Sequence, residues 1–221
     1  MTEFKVPCKF EENYCPDLFS WKEFGNLINI RPLMSSERIN VFNGGVNYRW
    51  NTTSWTLQPN CYPPTLLREV MEEHICYLKD MSRCTEKVNA FSKKVEDIYQ
   101  QEVDAHIYMC RNIDRIHPFG IHFDWSHNVI VQCEGQTNFK VWDEIEPSKA
   151  KEMLNTHKST LLTLSSDPIL DVEMKPGDAI WIPRFYPHLA TSRTKRLSIS
   201  FAFNKKLDRI TEDRNWVTFD D

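Results

Sequence analysis

The chain has 221 residues, a net charge of -4 and an ordinary share of hydrophobic residues, 41%. This length suits one domain with a sizeable core, so we expect a single domain over 1–221. The acidic balance argues against broad binding to a nucleic-acid backbone. No run of about 18 apolar residues occurs, and no membrane span is expected.

Seven cysteines are scattered along the chain, and no two of them have the C-x-x-C spacing. An odd number of dispersed cysteines indicates reduced thiols in a cytoplasmic protein. The N-terminus has no apolar signal region, which agrees with that location.

The first part of the chain, residues 1–101, is expected to be helical or irregular. Residues 1–19 show no regular pattern. Ser20-Trp21-Lys22-Glu23 has the form of a capping box, which begins a short helix that should end at Leu27 or Ile28. The other elements predicted here are strands at 39–42 and 48–55, a helix from 63 to 78, and a helix over 85–99.

From about residue 102 the apolar residues recur at every second position, which is typical of half-buried strands. Many short strands after a helical start favour an antiparallel double-sheet barrel with helices packed on one side. The barrel core is expected over 102–204 and a tail over 205–221. Strands are predicted at 103–110, 120–124, 128–134, 137–142, 159–164, 169–174, 179–183, 188–191 and 196–204, with a helical turn at 148–154.

Two histidines and one aspartate form a candidate metal site. On an extended strand, positions i and i+2 point to the same face, so His122 and Asp124 converge. A Pro-Gly-Asp turn and a short apolar strand then lead to His188, the expected third ligand. His127 lies three residues past Asp124 and has the wrong phase for the same face. Two histidines and a carboxylate leave open positions on a metal and suit non-haem Fe(II) oxygen chemistry.

The last predicted strand separates apolar from polar side chains. One face carries Leu197, Ile199, Phe201 and Phe203, which suits packing under the helices. The other face carries Arg196, Ser198 and Ser200. A barrel interior lined by small hydroxyls and one arginine has room for an anionic ligand.

A family resemblance rests on several motifs at matching distances along the chain. They are His122-Phe123-Asp124 with Asn128, Gln132-Cys133-Glu134-Gly135 leading to 139–142, the run 175–183 before His188, and Ser198-Ile199-Ser200-Phe201. Together these pieces of residues 104–203 resemble the cupin-type, JmjC-like Fe(II)/2-oxoglutarate-dependent oxygenases.

The resemblance implies a mainly β fold, a double-stranded β-helix of the cupin or jelly-roll kind with the N-terminal helices packed on one sheet. It also implies Fe(II) bound by His122, Asp124 and His188. The cosubstrate 2-oxoglutarate would chelate the metal, and O2 would take the last position. Decarboxylation to succinate and CO2 would then accompany hydroxylation of a C–H bond.

One position departs from the family pattern. JmjC-like relatives commonly carry Lys or Arg two residues after the Gly of the Q-x-x-G strand, where this chain has Thr137. A hydroxyl contributes one hydrogen bond but does not neutralise the far carboxylate of 2-oxoglutarate. Arg196 with Ser198 resembles the anchor that other 2-oxoglutarate oxygenases place on the last strand. The alternative is that Arg196 is a surface residue of the basic run 193–196.

Two further residues are candidates for the cosubstrate site. Asn128 shares the phase of Asp124, so its amide is expected near the 1-carboxylate or a metal-bound water. The hydroxyl of Tyr108, on a neighbouring strand, is a candidate donor to the cosubstrate, and core packing is the alternative role for that ring.

The substrate is less constrained than the metal site. Trp125, Arg184 and Tyr186 flank the triad in the sequence and are expected to rim the pocket, and the alternative is that each of them only covers the barrel end. A protein side chain is favoured over a small molecule or an RNA base. The alternatives are a metal-binding cupin without catalysis and one with different chemistry. The sequence carries no signal of oligomeric state.

Overall fold

The structure is a computed structural model, and it describes residues 7–30, 39–43, 46–48, 64–111, 115–116, 120–157, 161–162 and 164–203. The described helices are α1 (Trp21–Leu27), α2 (Pro64–Glu73), α3 (Glu86–Tyr99) and α4 (Pro147–His157). The described strands are β1 (Lys9–Glu11), β2 (Ile39–Asn43), β3 (Val46–Tyr48), β4 (Ile75–Leu78), β5 (Val103–Cys110), β6 (Arg115–Ile116), β7 (Ile121–His122), β8 (His127–Glu134), β9 (Thr137–Val141), β10 (Leu161–Leu162), β11 (Leu170–Met174), β12 (Ala179–Ile182), β13 (His188–Ser192) and β14 (Arg196–Phe203).

Two antiparallel sheets form the body of the protein. The larger sheet has the strand order β1-β12-β8-β14-β5-β4-β2-β3, and the smaller has β10-β7-β13-β9-β11 with β6 beside β13. Strands distant in sequence are neighbours in both sheets, as in a jelly-roll. The predicted mainly β, double-sheet fold is therefore confirmed.

Helices α1, α2 and α3 cover the outer face of the larger sheet, whereas α4 packs through Ala150 against Phe123 and Phe185. The alternation along β14 points Leu197, Ile199 and Phe201 at this layer, where each is fully buried. These three helices contribute their own apolar stripes to the same cluster. Ser20 caps α1 by accepting from the Glu23 N–H at 3.2 Å, and Thr85 caps α3 in the same way. The predicted capping box and the placement of the helices are confirmed.

The inner faces of the two sheets enclose a second apolar cluster. Its buried members are Ile130, Phe139, Val141, Met174, Ile180, Ile182 and Ala190. These side chains come from five strands, and they leave the polar residues of β8, β13 and β14 to line the rest of the barrel interior. This division separates a packed half of the barrel from a polar half.

Four sequence-based assignments were wrong. Residues 9–11 form β1 rather than irregular chain, because the exposed edge of β12 takes them as a partner. The helix predicted to reach residue 78 ends at Glu73, and β4 follows as a neighbour of β5. Strand β6 was missed. The helical spacing of Val88, Phe91, Val95 and Ile98 also predicts one apolar face, but Ile98 is exposed.

Some assignments fall beyond the residues that the structure describes. They include most of the predicted strand at 48–55 and the tail at 205–221. None of the described helices is long and apolar enough to cross a membrane.

Candidate functional site

The structure brings the three predicted metal ligands together. His122 ends β7 and His188 begins β13, and the two residues are register partners in the smaller sheet. Asp124 lies two residues beyond the end of β7, where its carbonyl accepts from the Phe185 N–H at 2.9 Å. The three ligand atoms lie within 4.8 Å of one another. Asp124 therefore reaches the site from a loop and not from the strand assumed in the sequence argument.

Hydrogen bonds orient both imidazoles toward the same point. The Nδ1 atoms of His122 and His188 lie 3.1 Å and 3.0 Å from the carbonyl oxygens of Gly120 and Tyr186. A carbonyl only accepts, so each Nδ1 carries the proton and each Nε2 keeps its lone pair. The Nε2 atoms of His122 and His188 lie 4.0 Å and 3.7 Å from the Asp124 carboxylate.

Electrostatics favours a neutral, ligand-competent His122. Burial, together with the neighbouring His188, lowers the pKa of His122 to about 4. The imidazole is therefore neutral at pH 7. The Asp124 side chain is 40% exposed, whereas that of His188 is only 6% exposed. The carboxylate thus lies at the open side of the site, where further ligands have access.

Asn128 holds the metal-binding carboxylate in place. Its Nδ2 donates to Asp124 Oδ2 at 2.9 Å, and its Oδ1 accepts from the Ser200 hydroxyl at 2.9 Å. The phase of the predicted strand placed this amide near the 1-carboxylate of the cosubstrate or a metal-bound water. The structure directs it to Asp124 instead, so its evident effect is to orient a ligand.

Arg196 points into the barrel. It is 2% exposed, and its Nε donates to the Ser198 hydroxyl at 3.0 Å. The guanidinium carbon lies 5.6 Å and 5.5 Å from the ring centroids of Tyr108 and Phe139. The alternative of a surface arginine is wrong, because the pleat of β14 turns this side chain inward. Burial lowers the pKa of Arg196 to about 10, which leaves it charged at pH 7.

Several buried polar atoms of the barrel have no hydrogen-bond partner among the described residues. They are Arg196 Nη1, Thr137 Oγ1, Ser192 Oγ and Gln132 Oε1. Thr137 and Ser192 are register partners across β9 and β13, and Gln132 is the partner of Ser198 across β8 and β14. Buried polar groups are normally paired with protein groups, water or a ligand, so this cluster is suited to bind a polar ligand.

Ser192 is a residue that the sequence analysis missed. The signal was present, because Ser192 lies four residues after His188 on one strand and so shares its face. Tyr77 was also missed. Its ring stacks on that of Tyr108 with centroids 5.4 Å apart, across a pairing of β4 and β5 that no local pattern predicts.

The ring of Tyr108 contacts Tyr77 on one side and the guanidinium of Arg196 on another. Burial, followed by the charge of Asp124, raises its pKa. The phenol is therefore protonated at pH 7 and keeps an O–H to donate. This state agrees with the predicted role of Tyr108 as a donor to an anionic ligand.

Trp125 and Arg184, two of the three predicted rim residues, pack against Phe185. The Trp125 ring packs edge-on against it with centroids 5.1 Å apart, and the Arg184 guanidinium lies 5.3 Å from its centroid. Tyr186 instead packs against the apolar cluster inside the barrel. His127 points away from the triad and accepts from the Arg184 N–H through Nδ1 at 3.1 Å.

These groups fit a metal and an organic dianion. Two neutral imidazole nitrogens and one carboxylate oxygen are the donor set of non-haem Fe(II) sites, and both Nδ1 atoms are already satisfied. A buried, charged Arg196 with an unpartnered Nη1 fits a carboxylate in the same interior. The hydroxyl of Thr137 fits as a neutral second donor.

Comparison with known proteins agrees with the fold. The sequence profile of the JmjC domain matches residues 78–209. No curated protein sequence matches the chain. YcfD, a ribosomal oxygenase from Escherichia coli, solved with cobalt and 2-oxoglutarate, aligns with a TM-score of 0.61 and 16% sequence identity.

The YcfD alignment covers 92% of this chain and 49% of that one. The complex of YcfD with cobalt and succinic acid aligns with a TM-score of 0.58 and 16% identity, over 91% of this chain and 49% of that one. The chain thus spans about half the length of these proteins, and at this identity the likeness shows the fold. Because the JmjC profile covers more than half of the sequence, the chain belongs to the JmjC-domain family.

Proposed function

We propose that this protein is an Fe(II)- and 2-oxoglutarate-dependent dioxygenase that hydroxylates a protein side chain. The observation that carries the proposal is the combination of two features in one barrel. One is the convergent His122, Asp124 and His188 triad, and the other is the buried Arg196 with an unpartnered Nη1. A barrel that only packed a polar cluster would satisfy these atoms internally.

Each residue has a distinct role in the proposed reaction. The triad holds the metal, and Asn128 fixes the angle of the Asp124 carboxylate. Arg196, held by Ser198, binds the far carboxylate of 2-oxoglutarate, with the hydroxyls of Thr137 and Tyr108 as further donors. Bound Fe(II), 2-oxoglutarate and O2 supply the oxidising chemistry, which yields succinate, CO2 and a hydroxylated product.

A protein side chain is the proposed substrate class for two reasons. The half-exposed Asp124 leaves the metal face open to a large partner, and the rim beside it is aromatic, with Trp125 and Phe185 in edge contact. In addition, YcfD, which shares the fold, is called a ribosomal oxygenase. We also propose a cytoplasmic location and one oxygenase domain over 1–221.

The test measures succinate released from 2-oxoglutarate in the presence of Fe(II) and ascorbate. We expect slow turnover without added substrate, because these enzymes oxidise the cosubstrate even when uncoupled. Asp124→Ala should abolish it through loss of the metal. Wild-type protein that binds Fe(II) and 2-oxoglutarate but releases no succinate, with or without a peptide library, would support a non-catalytic cupin instead.

The anchor is tested by the affinity for 2-oxoglutarate. Arg196→Ala should weaken binding by about 10- to 100-fold, since it removes a charge-assisted hydrogen bond worth about 1.5–3 kcal/mol. Lys140→Ala is the matched control, because Lys140 pairs with Asp171 at 3.3 Å on the outer face of β9. An unchanged affinity in Arg196→Ala would show that another residue anchors the cosubstrate.

A further inference from the structure

A cavity lies outside the barrel, between α1, α2 and the end of the larger sheet. Its volume is about 420 Å³. Residues from both helices line it, together with Arg111 just after β5 and Lys195 just before β14. It shares no lining residue with the metal site or with the polar cluster around Arg196. It is therefore a separate site from the one proposed for the reaction.

The inner wall of this cavity is apolar. Phe24, Ile28 and Met71 are each only 2% exposed, so they form a rigid floor belonging to the main core. Trp21 stands beside them with its ring edge-on to Phe24, with centroids 5.7 Å apart. An aromatic and aliphatic wall of this kind accepts a hydrocarbon group.

The rim of the cavity is positively charged. Arg68 and Lys195 are exposed at the rim, and neither forms an ion pair with a described residue. Arg111 is compensated, because its Nε lies 2.6 Å from Glu72 Oε1. The nearby Glu134 carboxylate accepts from the Trp21 backbone N–H at 2.9 Å, which fixes its position and leaves its negative charge in place. Arg68 and Lys195, which form no ion pair with a described residue, flank the apolar wall.

Gly25 keeps the cavity open. It lies inside α1, where a glycine costs about 1 kcal/mol relative to alanine. A Cβ at this position would meet nothing within 4 Å, and the backbone does not have a positive φ. Neither packing nor conformation calls for glycine here. The missing side chain does, however, leave room at a position that lines the cavity.

We propose that this cavity binds a small organic acid with an apolar body. The carboxylate would lie between Arg68 and Lys195, and the hydrocarbon would lie against Trp21 and Phe24. The volume is within the range of about 300–1,000 Å³ that is usual for small-molecule sites. The charge of the rim selects an anion over a neutral compound of the same size.

The test compares octanoate with 1-octanol by isothermal titration calorimetry. Saturating 2-oxoglutarate is present throughout, so that the barrel site is occupied. We expect saturable binding of one octanoate per chain and at least tenfold weaker binding of 1-octanol. Equal affinity for both compounds, or no saturable binding of octanoate at millimolar concentration, would overturn the proposal.

Two variants locate the binding. Gly25→Leu should abolish octanoate binding because the new side chain fills the cavity, while the melting temperature stays at least as high as in the wild type. Arg68→Gln should weaken binding about fivefold or more through loss of charge. The control is Arg83→Gln. Arg83 is an exposed arginine that does not line the cavity, and its Nη2 lies 3.2 Å from Glu96 Oε1. Undiminished binding in Gly25→Leu would refute the assignment.

Discussion

The two metal-binding imidazoles are oriented by the same local device. Each histidine donates its Nδ1–H to the carbonyl oxygen two residues before it, Gly120 for His122 and Tyr186 for His188. The device needs no partner from elsewhere in the chain. Asp124 is different, because its carboxylate is held from a neighbouring strand by Asn128. The carboxylate is therefore the ligand whose position depends most on other residues.

Replacement of Asn128 by alanine should weaken metal binding. The Asp124 carboxylate would lose its fixed orientation, and loss of such a supporting hydrogen bond typically costs about 10- to 100-fold in affinity. The measurement is competition titration with Mn(II). Ser200→Ala is the matched control, because Ser200 contacts only the Oδ1 of the same amide and should have a smaller effect. Equal metal affinities in wild type and Asn128→Ala would contradict the orienting role.

At the scale of elements, two turns meet at the end of the barrel that holds Arg196. Gly135 makes the turn between β8 and β9 with φ +74. A Cβ on Gly135 would overlap the carbonyl oxygen of Lys195, which lies in the turn before β14. This close approach places the start of β14 against the other turn. The contact between these two turns thus sets the position of Arg196, the first residue of β14.

Gly135→Ala should destabilise the protein far more than Gly120→Ala. Both glycines have a positive φ, but an added Cβ at Gly120 would meet nothing within 4 Å. Gly120→Ala should therefore cost only the conformational strain of about 1–2 kcal/mol. Gly135→Ala adds a backbone clash, and we expect about 3 kcal/mol or more. Urea unfolding measures both, and similar costs for the two variants would show that the turns move apart without penalty.

At the scale of the whole molecule, stability is coupled to pH through buried histidines. His127 lies outside the metal triad and stacks on Phe203 with ring centroids 5.5 Å apart. Burial, followed by the charge of Arg184, lowers the pKa of His127 from 6.5 to about 4. The folded protein thus keeps this ring neutral at a pH where the unfolded chain binds a proton. The resulting stability is present above pH 6.5 and is lost as the pH falls toward 4.

Replacement of His127 by asparagine should flatten this pH dependence. Asparagine supplies an acceptor in place of Nδ1 for the Arg184 N–H, but it does not titrate. Between pH 7.5 and pH 5 the wild type should lose about 2 kcal/mol more of its unfolding free energy than the variant does. The measurement is urea unfolding at each pH without metal. Parallel pH profiles would show that His127 is not the group responsible.

Local patterns predicted much of the fold. The capping box at Ser20 and the period of two in β5 and β9 reflect backbone geometry over a few residues, and these elements lie where they were expected. The edge strand β1 and the end of α2 at Glu73 were not predictable in this way. Each depends on a partner strand from a distant part of the chain, β12 for β1 and β5 for β4.

The sequence by itself determined the candidate triad and the inward face of the last strand. Spacing along the chain is enough to recognise the H-x-D motif, the run that leads to His188 and the alternation around Arg196. Such spacing can be read directly from the sequence. Only the tertiary structure decided that Asn128 contacts Asp124, that Ser192 joins Thr137, and that a charged cavity lies behind Gly25. The pairing of Thr137 with Ser192 and the lining of the cavity join segments far apart in sequence. Asn128 and Asp124 are only four residues apart, but their contact depends on the course of the loop between β7 and β8, which is set only once the sheets have packed.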